Sequence, residues 1–120
     1  MNLPITTLGY YADGDIPSYS LVIRSATVDG AVEPGADGTK LLLGVTTIVS
    51  VINGQPVDVI RAGFADVRYG GTVAADDPLT ADAKGNAIKA AAGDFIIGYA
   101  EDAGDEGDIG SVWIVPGKLA

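Results

Sequence analysis

Hydrophobic and polar residues alternate in short runs, and each run ends at a turn rich in Gly, Asp or Pro. Residues 19–24 alternate, with Tyr19, Leu21 and Ile23 on one face, which predicts a strand. Residues 29–39 have the composition of a turn almost throughout. Further short strands are predicted at 64–69, 72–75 and 79–83. Turn signals at this spacing favour a mainly β fold, a small single-domain β-barrel or sandwich.

The segment between Lys40 and Asn53 is the richest in β-branched side chains. Such residues crowd a helix but suit a strand, and the interior Gly44 predicts a bulge or bend. Asn53-Gly54 is a dipeptide typical of hairpin turns, and residues 56–61 form a second extended run. We therefore predict that these two runs form a hairpin.

Two features leave alternatives open. Residues 86–93 begin with a capping Asn, are rich in Ala and end at Gly, so at most one short helix is expected there. Its single large apolar residue, Ile88, makes a poor helical stripe. Residues 42–59 also loosely resemble residues 96–114, as two hairpins in equivalent places or by chance.

The first 18 residues show no periodicity and contain no basic residue. They predict an extended N-terminal arm (1–18) that precedes a compact β domain (19–120). The arm is expected to have no partner strand of its own. An apolar arm must pack on its own domain or lie on another molecule. Deleting residues 1–12 is expected to abolish such binding and to leave the domain folded. The candidate contact residues are Leu3, Pro4, Ile5, Thr6, Leu8, Tyr10 and Tyr11.

The chain contains no Cys and no His. This excludes disulfides, thiolate nucleophiles, Cys/His zinc sites and Ser-His-Asp triads. Carboxylate pairs remain for catalysis, at Asp76-Asp77 and in the acidic run 101–108. Residues in such turns seldom converge on one bond, so solvated turns are the favoured interpretation. Asp13-Gly14-Asp15 begins like a calcium loop but lacks its later ligands. We expect no enzymatic activity, metal or cofactor.

The net charge is −9, from 16 acidic and 7 basic residues. A chain of this sign is repelled by nucleic acid and by anionic membranes, so neither is an expected partner. No apolar run reaches the length of a signal sequence or membrane span, and we expect synthesis in a cytoplasm. The only Trp, Trp113, lies in an apolar strand and is expected in the core, with its indole N–H bonded to a carbonyl.

The order and spacing of the turns and strands resemble the small capsid decoration, or cement, proteins of tailed bacteriophages. The segments that carry the resemblance are 54–63, 70–87, 97–101, 107–109 and 115–117, with weaker matches at 16–22 and 43–45. One departure is Asp76 before Asp77-Pro78, where the family more often has Gly. A Gly there would ease a turn with positive φ.

The resemblance implies a compact β fold without catalysis. It also implies homotrimers at three-fold and quasi-three-fold positions outside the mature shell, bound to the major capsid protein and stabilising it after expansion. Such a protein is made in the host cytoplasm and resides on the outer capsid surface of the virion. The alternative is a carbohydrate- or receptor-binding module on a virion or cell surface, which needs a concave face with exposed Tyr or Trp. A carboxylate glycosidase is a distant third.

Overall fold

The described part of the chain, residues 6–120 of a computed structural model, folds into strands and turns without a helix. The strands are β1 (Thr6–Ala12), β2 (Leu21–Arg24), β3 (Ala31–Pro34), β4 (Gly44–Thr46), β5 (Pro56–Arg68), β6 (Pro78–Ala81), β7 (Ala87–Lys89), β8 (Phe95–Ala100) and β9 (Ile109–Lys118). The expectation of a mainly β, single-domain barrel or sandwich is confirmed. Residues 87–89 pair with β6 as a strand, so the alternative of a short helix is wrong.

The first five strands close into a small barrel in the order β1-β3-β2-β4-β5, and β5 pairs back onto β1. The β1–β3 pair is parallel and the other four pairs are antiparallel. Aliphatic side chains fill the interior, among them Val22, Val32, Leu43 and Val59. Closure satisfies backbone groups that an open sheet of short strands would leave unpaired.

The remaining strands extend from the barrel as an open antiparallel sheet in the order β5-β9-β8-β6-β7. Strand β5 belongs to both parts, since its first half pairs with β1 and β4 and its second half with β9. Gly63 lies between the halves with a φ of +91°, a value that Gly adopts without strain. The two strands predicted at 56–61 and 64–69 are therefore one strand, which bends where it leaves the barrel.

A second core lies between the outside of the barrel and the inner face of the open sheet. Leu21 and Val45 contribute from the barrel, and Val67, Leu79 and Ile97 contribute from the sheet. Tyr69 is fully buried beside them, and its hydroxyl donates a 2.7 Å hydrogen bond to the carbonyl of Asp102. Burial raises the pKa of the Tyr69 hydroxyl.

Four strands begin directly after the same kind of turn. In each turn the third residue has a positive φ, and the backbone N–H of the fourth donates to the carbonyl of the first at 3.0 to 3.2 Å, as in type II turns. The side chain of the fourth residue accepts a 2.9 Å hydrogen bond from the N–H of the first. The turns are 52–55 before β5, 74–77 before β6, 91–94 before β8 and 105–108 before β9. Asp76 has a φ of +71° at the third position, so the expected positive-φ turn is confirmed.

Several local predictions are wrong in their extent. Within residues 40–53 only Gly44–Thr46 is a strand, and it pairs with β5 as expected. The turn at Asn53-Gly54 does not join these two strands directly, because it leads from Val51, which forms a bridge with Ile16, into β5. The predicted turn 29–39 contains β3, because Ala31 and Val32 pair with β1 inside the barrel. The predicted strand 72–75 is reduced to one bridge between Val73 and Gly104.

Candidate functional site

The predicted arm is part of the barrel from Thr6 onward. Residues Thr6–Tyr11 pair with β5, and Tyr11 and Ala12 also pair with β3. The expectation that this segment has no partner strand of its own is therefore wrong for the described residues. Alternation failed to reveal β1 because closure of the barrel, rather than one clean apolar face, holds the strand in place.

The candidate contact residues of β1 differ in exposure. Leu8 and Tyr11 are 44% and 60% exposed, and Thr6 is also exposed. Tyr10 instead packs on the barrel interior, and its hydroxyl accepts a 3.3 Å hydrogen bond from Arg61. Leu3, Pro4 and Ile5 lie outside the described residues.

One edge of β1 remains available over half its length. Strand β3 reaches only Tyr11 and Ala12, so residues 6–10 have a ladder partner on one side alone, within the described chain. A strand edge of this kind can accept another extended segment through main-chain hydrogen bonds.

A loop beside β1 adds an aliphatic surface that the sequence did not reveal. Ile48, Val49 and Ile52 are each at least 60% exposed, although the pattern predicted a strand here. Val49 and Pro56 line the same shallow cleft, and Pro56 is the register partner of Tyr11. Leu8 lies on the other face of β1, that of Tyr10, because it is the register partner of the buried Val59. We call Tyr11, Val49, Ile52 and Pro56 the barrel patch.

A second exposed surface lies on the outer face of the open sheet. Trp113 of β9 is opposite Phe64 of β5 on one side and Tyr99 of β8 on the other. The Tyr99 and Trp113 ring centroids are 6.5 Å apart. Trp113 is 49% exposed, so its expected place in the core is wrong. Its neighbours Val112 and Ile114 are the inward residues of β9, so the strand alternates and places Trp113 outside. We call Phe64, Tyr99 and Trp113 the aromatic row.

Most of the acidic turn residues have structural roles. Asp77, Asp94 and Asp108 each cap the turn before a strand. Asp13 accepts a 2.6 Å hydrogen bond from the Ser25 hydroxyl, and Asp15 accepts one from the backbone of Asn53. Among residues 6–120 no group of three or more acidic residues is arranged to hold a metal ion.

Comparisons with known proteins give a likeness to solved structures and none to a protein family. No protein-family model matches the sequence, and no curated protein matches it. A solved structure, the N base of head fiber gp8.5 in bacteriophage phi29, superimposes with a TM-score of 0.76 at 21% identity, over 98% of this chain and 99% of that chain. This chain has the fold of that N base. No helix in residues 6–120 is long and apolar enough to cross a membrane.

Proposed function

We propose that this chain is a structural, non-catalytic virion protein of a tailed phage that binds the outside of the mature capsid. The observation that carries the proposal is the likeness of fold to the head fiber N base, which extends over essentially the whole of both chains. The sequence resemblance to capsid decoration proteins supports it independently. The partners are the major capsid protein and two further copies of this chain, in trimers at three-fold and quasi-three-fold positions.

The barrel patch and the free edge of β1 are the surfaces we assign to the capsid. The patch combines aliphatic side chains with Tyr11, and buried aromatic and aliphatic anchors provide most of the energy of protein interfaces. The adjoining edge at residues 6–10 is suited to receive an extended capsid segment. In this arrangement a capsid segment is added as a strand beside β1, whereas a free arm would itself be added as a strand to the capsid.

Many small contacts repeated over a shell stabilise it through multivalency rather than through one tight site. Protein bound only to the expanded shell raises its melting temperature by mass action. The net charge of −9 disfavours nucleic acid as a partner. Synthesis in the host cytoplasm and a final place on the outer capsid surface follow from this role.

The test is cosedimentation with undecorated, expanded shells of the encoding phage. We expect saturable binding near three copies per three-fold site and a higher melting temperature of the shell. The double variant Tyr11→Ser/Val49→Ser should weaken binding by about tenfold or more, since loss of a central aromatic anchor costs upward of 1.4 kcal/mol.

The matched control is Ile109→Ser, which removes an exposed aliphatic side chain (44%) from β9 of the open sheet. Deleting residues 1–12 is unsuitable, because it removes one of the five barrel strands and we expect it to unfold the domain. Absence of binding by the unmodified protein to intact, expanded shells would overturn the proposal. Equal binding by Tyr11→Ser/Val49→Ser and Ile109→Ser would leave the capsid role but refute the assigned surface.

A further inference from the structure

The aromatic row lies across three adjacent strands on a face that the fold leaves uncovered. Ala65 and Val112, which alternate with Phe64 and Trp113, are buried in the second core, so the aromatic side chains are on the opposite face of the sheet. Neighbouring strands lie about 4.8 Å apart, so the three aromatic positions span about 10 Å. The strip is apolar, with Phe64 and Tyr99 half-buried and Trp113 half-exposed, and the planes of the Tyr99 and Trp113 rings are tilted by 45°.

The next rung of the sheet carries hydrogen-bonding groups on the same face. Asp66 is the register partner of Ser111, and the N–H of Glu101 donates to the Ser111 carbonyl at 2.8 Å from the other side. Asp66 and Glu101 are exposed. Within residues 6–120, neither carboxylate takes part in an ion pair or caps a turn, in contrast to Asp77 and Asp94.

We propose that the aromatic row and the Asp66–Ser111–Glu101 rung form a binding site for a neutral glycan. A pyranose ring has an apolar C–H face that stacks on aromatic rings and a rim of hydroxyl groups that donate to carboxylates. Hydrogen bonds to ionised acceptors are stronger than neutral ones, so the rung supplies orientation as well as affinity. The site shares no residue with the barrel patch and does not depend on attachment to a capsid.

Charge and size favour this ligand over the other occupants of such a face. A polyanion would be repelled by the net charge of −9. A second copy of the chain would have to cover about 800 Å² for a stable interface, and would thereby bury Asp66 and Glu101 without a partner charge. A glycan of a few residues covers the strip and leaves the carboxylates at its wet edge.

The experiment uses the purified chain and an array of neutral glycans that includes glucans, mannans, galactans and N-acetylglucosamine polymers. The strongest glycan is then titrated while the emission of Trp113 is followed, because this is the only Trp in the chain. We expect a saturable blue shift, since stacking of a sugar removes water from the half-exposed indole.

Variants are compared by calorimetric titration, which does not need the indole. Trp113→Ala should weaken binding by about tenfold or more, as expected for a central aromatic anchor. Asp66→Asn should weaken it less, through loss of the charge-assisted hydrogen bond. Tyr11→Ala is the control, because it removes an exposed aromatic side chain from the barrel patch and should bind normally.

Two results would overturn the proposal. One is the absence of binding to any neutral glycan on the array by protein shown to be folded. The other is a blue shift of Trp113 that depends on protein concentration alone, which would assign the aromatic row to contact between copies of this chain. The glycan result is independent of the proposed capsid role, because the array contains no capsid shells.

Discussion

The barrel and the open sheet share β5 but solve the edge problem of short strands differently. The barrel closes on itself through β1, and it leaves only residues 6–10 of that strand with a free edge. The open sheet keeps its edges and instead packs one face on the barrel. The barrel therefore offers an edge and an aliphatic loop to a partner, whereas the sheet offers an aromatic face.

A local similarity underlies this difference. Strands β4 and β5 on one side and β8 and β9 on the other lie in the order β4-β5-β9-β8. These are the two segments that resemble each other in sequence. An added Cβ would collide with the Ile60 carbonyl at Gly44 and with the Trp113 carbonyl at Gly98. Both segments thus need a Gly where a strand crosses close to its neighbour, and the surroundings decide whether the result is a barrel or a sheet.

The largest expected effects come from equal cavities in the two cores. Leu43→Ala in the barrel and Leu79→Ala in the second core each remove a side chain that is at most 2% exposed, and each should lower the free energy of unfolding by about 3 kcal/mol. Because β5 runs through both parts, we expect one cooperative transition in urea, with coincident Trp113 fluorescence and circular dichroism. Separate transitions by the two probes would show that the barrel and the sheet unfold independently.

The two close-approach glycines should give the next largest loss. Gly44→Ala and Gly98→Ala each force a methyl group against a neighbouring backbone, which should cost about 2 kcal/mol in the free energy of unfolding. Gly117→Ala is the control, since an added Cβ there meets nothing within 4 Å. Urea denaturation of the three variants tests whether Gly44 and Gly98 are equivalent. A loss of stability at Gly98 alone would contradict this.

A substitution at Tyr69 tests the second core and leaves the interior of the barrel unchanged. Tyr69→Phe should cost about 1 kcal/mol at pH 7, because the Asp102 carbonyl loses its donor. Burial raises the pKa of the Tyr69 hydroxyl above its ordinary value of 10.0, so the folded state holds this proton more tightly than the unfolded state. The stability from this difference is complete below pH 10 and is lost as pH rises through the folded-state value.

The stability gap between the unmodified protein and Tyr69→Phe should therefore shrink above pH 10. Urea titrations of both proteins at pH 7 and pH 11 measure the gap, and the other Tyr residues cancel in the comparison. A gap that widens at pH 11 would contradict the assigned direction of the pKa.

The smallest expected effect is a gain. Asp76→Gly should raise the free energy of unfolding by about 0.5 kcal/mol, because relief of the left-handed conformation exceeds the added entropy of the unfolded chain. Ala75→Gly in the same turn, at a position without positive φ, should instead lower it by a similar amount. Thermal unfolding of both variants distinguishes these signs.

The sequence predicted the second part of the molecule better than the first. Four of the strands after residue 54 follow turns whose Gly, Asp and Asn residues have a local mechanism. Strands β1 and β3 escaped prediction because neither is marked by alternation, and each is defined by the other strands of the barrel. The barrel patch was not predicted either, because the aliphatic residues of loop 47–55 have the pattern of a strand although the loop leaves the sheet.

The sequence by itself determined a β fold without thiol or imidazole chemistry and the acidic turns, because these depend on residue types and on interactions within a few residues. Only the tertiary structure decided that β1 closes a barrel, that Trp113 is outside, and that Asp66 and Glu101 lie beside it. Strand register and barrel closure depend on partners tens of residues apart, and a period of two does not say which face of a strand is covered.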